Sequence, residues 1–70
     1  SAALALLRKA VEFAPRDRDL LIELGLLLRF DKQFEEASEV FERALRIDPD
    51  SRVAKVNVEL LQRRLSDGTQ

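Results

Sequence analysis

Apolar side chains recur along this chain at intervals of three and four residues, in four separate runs. That spacing gathers them on one face of a helix. The first run, Ala3, Leu7, Ala10, Val11 and Ala14, predicts a helix over about residues 2–14, and Leu4 and Leu6 widen its stripe. Pro15 stops it, because a proline pushes the residue before it out of the helical region. The second helix spans about 18–30. Leu20, Leu21, Leu24, Leu27 and Leu28 form one stripe, and Ile22, Leu26 and Phe30 form another on a different side. A helix apolar on two sides needs two partners, or one partner and an open groove.

The polar break Asp31-Lys32-Gln33 precedes a third helix over about 34–47, apolar at Phe34, Ala37, Val40, Phe41, Ala44, Leu45 and Ile47. Its other face offers Glu39–Arg43 and Glu42–Arg46 as i,i+4 pairs in the favourable order, each worth about 0.2–0.5 kcal/mol. The fourth helix, about 52–66, carries a stripe of Ala54, Val58, Leu61 and Leu65, with Val53, Val56 and Leu60 off to one side. Asp17 is placed to cap the second helix, and Asp50 or Ser51 the fourth. Gly68 is placed as a C-terminal stop. No segment alternates with period two. The expected fold class is all-α, in antiparallel hairpins, because connections of about 2–4 residues force neighbouring helices to reverse direction.

The pattern also repeats. Pro49 follows Pro15 by 34 residues, and at the same interval Ala3 pairs with Ala37, Leu7 with Phe41, Ala10 with Ala44, Val11 with Leu45, Phe13 with Ile47, Leu26 with Leu60 and Arg29 with Arg63. A fixed period in this range marks stacked helical units, which present surfaces to partners.

The middle of the chain resembles a tetratricopeptide repeat. Leu21-x-x-Leu24-Gly25-x-x-Leu28 is followed by Ala37-x-x-x-Phe41, then by Ala44 and Pro49. The signature of that family runs bulky residue, Leu-Gly, bulky residue, Ala-x-x-x-Phe and Pro. Leu21 and Leu28 stand where Trp and Tyr are usual, and Lys32 stands in a break that usually holds Gly. The resemblance implies a single domain over 1–70: the second helix of a preceding repeat at 2–17, a complete repeat at 18–51, a capping helix at 52–66 and a tail at 67–70. The fourth segment is expected to cap because Lys55 and Glu59 occupy positions where the pattern wants a large apolar and a small residue. Gly25 and Ala37 are expected to be small because two helices approach closely there, and Ala10 and Ala44 because the next repeat docks on them.

Composition narrows the chemistry. The chain holds no Cys and no His, so there is no disulfide, no thiolate nucleophile and no imidazole base, and the redox compartment stays open. Ser1, Ser38, Ser51 and Ser66 have no partners that suggest a triad. Glu35, Glu36, Glu39 and Glu42 read as a solvated helix face neutralised by Arg43 and Arg46, and Asp48 and Asp50 as loop and capping residues. No catalysis, cofactor or metal is expected. Arg8, Lys9, Arg16, Arg18, Arg52, Lys55, Arg63 and Arg64 are interleaved with acids in a chain of net charge −1, which argues against a nucleic-acid patch. The longest apolar stretch, Leu20 to Leu28, is broken by Glu23 and is too short to span a bilayer. The chain opens on Ser1 inside an apolar run without a methionine and reads as a piece of a longer protein or a processed product.

In tetratricopeptide repeats the first helix of each repeat lines a concave face that holds a partner's peptide or helix. Carried over, that face comprises Asp19, Ile22, Glu23, Leu26, Arg29 and Phe30, then Val53, Val56, Asn57, Leu60, Arg63 and Arg64. Members that grip a C-terminal carboxylate use Lys, Asn and Arg there. Here Ile22, Leu26, Val53 and Val56 occupy the positions a polar clamp would need, which argues against one. What remains is an apolar strip of Ile22, Leu26, Phe30, Val56 and Leu60, edged by Glu23, Arg29 and Arg63. The strip is either a docking groove for the apolar face of a partner, or core covered by the fourth helix. Two other functions stay open: self-association through the first helix as a homodimer, with a second copy covering Leu4, Leu6 and Leu7, and an accessory segment of a larger enzyme.

Overall fold

The computed structural model describes residues 1–67 and places four helices in them: α1 (Ala2–Phe13), α2 (Arg18–Phe30), α3 (Phe34–Ile47) and α4 (Arg52–Asp67). Gly68, the expected helix stop, lies outside the described residues. Each helix packs against its sequence neighbour, and the short connections make successive helices antiparallel. α2 and α4 therefore run the same way, on one side of the array. The molecule is a thin slab of 37 × 29 × 13 Å.

The 34-residue interval is written into the backbone. Ala14 and Asp48, each preceding a proline, leave the helical region at φ −132°, ψ 72° and φ −135°, ψ 90°. The N–H of each closes the last helical turn, onto Ala10 and Ala44 at 2.9 Å. Three residues on, the N–H of Asp17 and that of Ser51 donate to the carbonyls of Ala14 and Asp48 at 3.1 Å. Both then cap the next helix. Asp17 Oδ1 accepts from the N–H groups of Asp19 and Leu20 at 3.0 and 3.2 Å, and Ser51 Oγ accepts from that of Ala54 at 3.3 Å. Each cap satisfies donors that a helix start leaves orphaned.

α2 ends in a different device. The N–H of Gln33 donates to the carbonyl of Leu28 at 2.9 Å, and that of Lys32 to Arg29 at 3.0 Å. This paired closure is the Schellman arrangement, which requires a left-handed residue just past the helix. Lys32 is that residue, at φ 64°.

The core is a single cluster. Leu21, Leu24 and Leu28 of α2 meet Ala37, Val40, Phe41 and Ala44 of α3, and Ala54, Val58 and Leu61 of α4 close the other side. Phe41, Leu21, Leu28 and Leu61 are the largest fully buried side chains. Each gains about 1.5–3 kcal/mol from leaving water. Gly25 and Ala37 are buried at the α2–α3 contact. Lys55 and Glu59, one interval beyond Leu21 and Gly25, are exposed.

Three expectations change. α1 stops at Phe13, one residue early, and α4 runs one residue past Ser66, to Asp67. Leu4, expected to await a neighbour outside the chain, is buried in the core, whereas Leu6 is exposed and Leu7 half-buried. Neither i,i+4 pair expected on α3 forms among the described residues. Arg43 donates to the carbonyl of Pro15 and Glu42 accepts from Gln62, both at 3.4 Å. Pairs between exposed side chains gain too little to hold one geometry against such alternatives. Two of the ion pairs that do form bridge elements, and the third, Arg18 with Asp19, is local to α2. Arg8 Nη2 donates to Glu36 Oε1 at 3.0 Å and Nη1 to Glu36 Oε2, tying α1 to α3. Arg18 joins Asp19 and Asp48 at 2.8 and 2.7 Å.

Candidate functional site

The two stripes of α2 separate as their spacing requires. Leu21, Leu24 and Leu28 turn into the core, and Ile22, Leu26 and Phe30, one turn apart, line the opposite side. Ile22 is half-buried, Leu26 is 41% exposed and Phe30 87%. α4 runs beside them and contributes Val53, Val56 and Leu60, which are 48%, 44% and 48% exposed. The Ile22 end of the strip is partly covered, and its Leu26–Phe30 end is exposed. Glu23 and Arg63 are exposed beside it.

Asn57 differs from the other residues assigned to this face. It is buried, its Nδ2 donates to the carbonyl of Val53 at 2.8 Å, and its Oδ1 accepts from Nη1 of Arg29. It lies beneath the face, where it fixes Arg29 of α2 against α4. Its amide is consumed internally, and the surrounding Ile22, Leu26, Val53 and Val56 supply no side-chain donor for a carboxylate.

The C-terminal ends of α2 and α4 enclose an open recess of about 440 Å³, lined by Arg29, Phe30, Lys32, Phe34, Leu60, Leu61 and Arg64. A second recess adjoins it along Leu60, Arg63, Arg64 and Asp67. The guanidinium of Arg64 lies over the Phe34 ring, 4.4 Å from its centroid. The attraction of a cation for the ring face holds Arg64 in place. Phe34 and Lys32 were not legible as residues of this face. Phe34 reads as part of α3's own apolar stripe, and Lys32 as a turn residue.

A second apolar surface lies on α1, where Leu6 is 69% and Phe13 94% exposed. Hydrogen bonding to Arg8 lowers the Glu36 carboxyl, and the same bond raises Arg8. Hydrogen bonds to Asp19 and Asp48 raise Arg18. Among the described residues no group of three or more acidic side chains is arranged to hold a metal ion, and no helix is long and apolar enough to cross a membrane. No buried side-chain nitrogen or oxygen lacks a hydrogen-bond partner there.

No curated protein and no solved structure matches the chain significantly. The family model for the tetratricopeptide repeat matches residues 1–60. Repeats of this kind generally mediate protein–protein interaction and typically form scaffolds rather than catalytic centres. The match takes in α1, α2, α3 and α4 as far as Leu60, so the chain belongs to the tetratricopeptide repeat family.

Proposed function

We propose that this chain is a protein-interaction module without catalysis of its own, and that the face shared by α2 and α4 is the concave surface that receives a partner peptide or helix. The observation that carries the reading is the exposure of Leu26, Phe30, Val53, Val56 and Leu60 on two helices that Arg29 and Asn57 tie together, with Phe30 and Leu60 lining one recess. Apolar surface gathered in one place and edged by charge favours an interaction partner over bare solvent. Helical spacing on both helices suits the apolar face of an incoming segment. In this reading residues 18–51 form the complete repeat, residues 2–17 the second helix of the one before, and residues 52–66 a cap whose outer face is polar at Lys55 and Glu59.

The test is Leu26→Glu. The charge falls on a part-exposed position, so the fold should persist by helical circular dichroism. Affinity capture of native partners by the full-length protein should be lost. A folded variant that captures the same partners as the parent would remove the α2/α4 face from consideration.

A second reading is self-association through α1, supported by the exposed Leu6 and Phe13. A second copy covering them would form a symmetric pair. Sedimentation over a concentration series decides it: a monomer at the highest concentration eliminates this reading.

A further inference from the structure

We infer that the recess at the C-terminal ends of α2 and α4 selects a partner segment in which an apolar side chain is flanked by carboxylates. This rests on the α2/α4 face being the docking surface and adds the chemistry of what docks. Phe30, Phe34 and Leu60 give the recess its apolar wall. Arg29, Lys32, Arg63 and Arg64 surround it and the adjoining recess. Among the lining residues one carboxylate, Asp67, stands against these four cations, while Asp31 is the sequence neighbour of Lys32 and Glu59 lies one turn before Arg63. Asp31 accepts from Nε2 of Gln33 at 2.6 Å, and Asp67 lies at the far edge of the adjoining recess. The positive excess is local, because the whole chain carries −1.

Helix electrostatics accounts for only half of this cluster. Cations in a last helical turn complement the negative end of the dipole, as Arg29 and Arg64 do. Lys32 lies beyond the end of α2, and Arg63 falls before the last turn of α4. Arg29 is held by Asn57 and Arg64 by Phe34, whereas Lys32 and Arg63 have no side-chain hydrogen bond, ion pair or ring contact among the described residues. They are available to an incoming anion. Next to apolar walls such an attraction is stronger than in bulk water. Charge complementarity of this kind chiefly sets partner choice and association rate. The anions proposed are side chains of an internal segment, and peptides blocked at both ends keep a chain-terminal carboxylate out of the test.

The test uses an acetylated, amidated peptide with Leu and Phe at helical spacing and Glu on either side of them, and a counterpart with Lys for every Glu. Calorimetry on the parent protein should show the Glu peptide binding about tenfold or more tightly than the Lys peptide, with the gap narrowing as salt is raised. The pair Lys32→Asp and Arg63→Glu, both at exposed positions, should invert that preference. Equal binding of the two peptides, abolished by Leu26→Glu, would overturn the charge selection and leave the docking face intact. If neither peptide binds the folded parent, the docking face falls with the inference.

Discussion

Gly25 of α2 lies against the ring of Phe41 of α3 so closely that a β-carbon at position 25 would stand 2.7 Å from Cζ and 2.8 Å from Cε2. Phe41 is fully buried, so its ring would have to shift among packed neighbours. Gly25→Ala should gain up to about 1 kcal/mol of helix propensity and lose more to the forced shift of the ring. Gly25→Leu should cost about 1–3 kcal/mol or more. Thermal melting of the two variants checks this, together with the double variant Gly25→Ala/Phe41→Leu. The smaller, flexible partner should recover part of the loss, and the non-additivity would measure the contact. If Gly25→Leu melts no lower than the parent, the pairing of α2 with α3 is wrong.

Lys32 adopts φ 64° to close the end of α2. A left-handed residue other than Gly costs about 1–2 kcal/mol, offset in part by the greater freedom of Gly in the unfolded chain. Lys32→Gly should raise the melting temperature, and Lys32→Val, branched at the β-carbon, should lower it. Equal melting temperatures would show that the Schellman closure carries no strain.

Ser51 caps α4 with its side chain buried. Ser51→Ala should cost about 1 kcal/mol, and Ser51→Asp, which restores an acceptor, less. Urea unfolding gives both values. Loss of the same size in both variants would assign the role of Ser51 to packing rather than capping.

Arg8 and Glu36 link α1 to α3, and the bond lowers the Glu36 carboxyl below its ordinary value. A carboxyl lowered on folding adds stability that is fully present above its unfolded pKa and is lost as pH falls through its folded one. Both side chains are more than a third exposed, at 41% and 38%, so screening keeps the contribution small. The parent should exceed Glu36→Gln in stability at neutral pH and low salt, and the two should converge in acid or in high salt. A constant difference from neutral to strongly acid pH would show that the ionised pair is not its source.

Much of the architecture was legible because it depends on local rules. Helical periodicity gave all four helices to within a residue at their ends, and two prolines with the caps that follow them marked two of the three connections. The 34-residue echo named the family. The geometry of the candidate face was legible in part. Helical spacing put Ile22, Leu26 and Phe30 on one side of α2, but spacing does not say how far a neighbour covers that side. Asn57 reads as a face residue for the same reason: its spacing does not show that it is buried and bonded to Arg29 and to the Val53 carbonyl. The recess at the helix ends was missed because it combines Phe34 of α3 with Arg64 of α4, thirty residues apart and outside the repeat pattern. The bridge from Arg8 to Glu36 was missed likewise: side chains that far apart in sequence meet only through the crossing of their helices.

By itself the sequence determined the helices, their order and reversal, the family, and that Gly25 must be small. Those features follow from backbone sterics and from apolar periods that act over a few residues. The tertiary structure decided how completely each apolar face is covered, leaving Leu26, Phe30 and Leu60 open while burying Leu4. It also decided which cations remain without partners around the recess. Coverage and charge pairing depend on the distance between helix axes, which packing in three dimensions sets and no local pattern encodes.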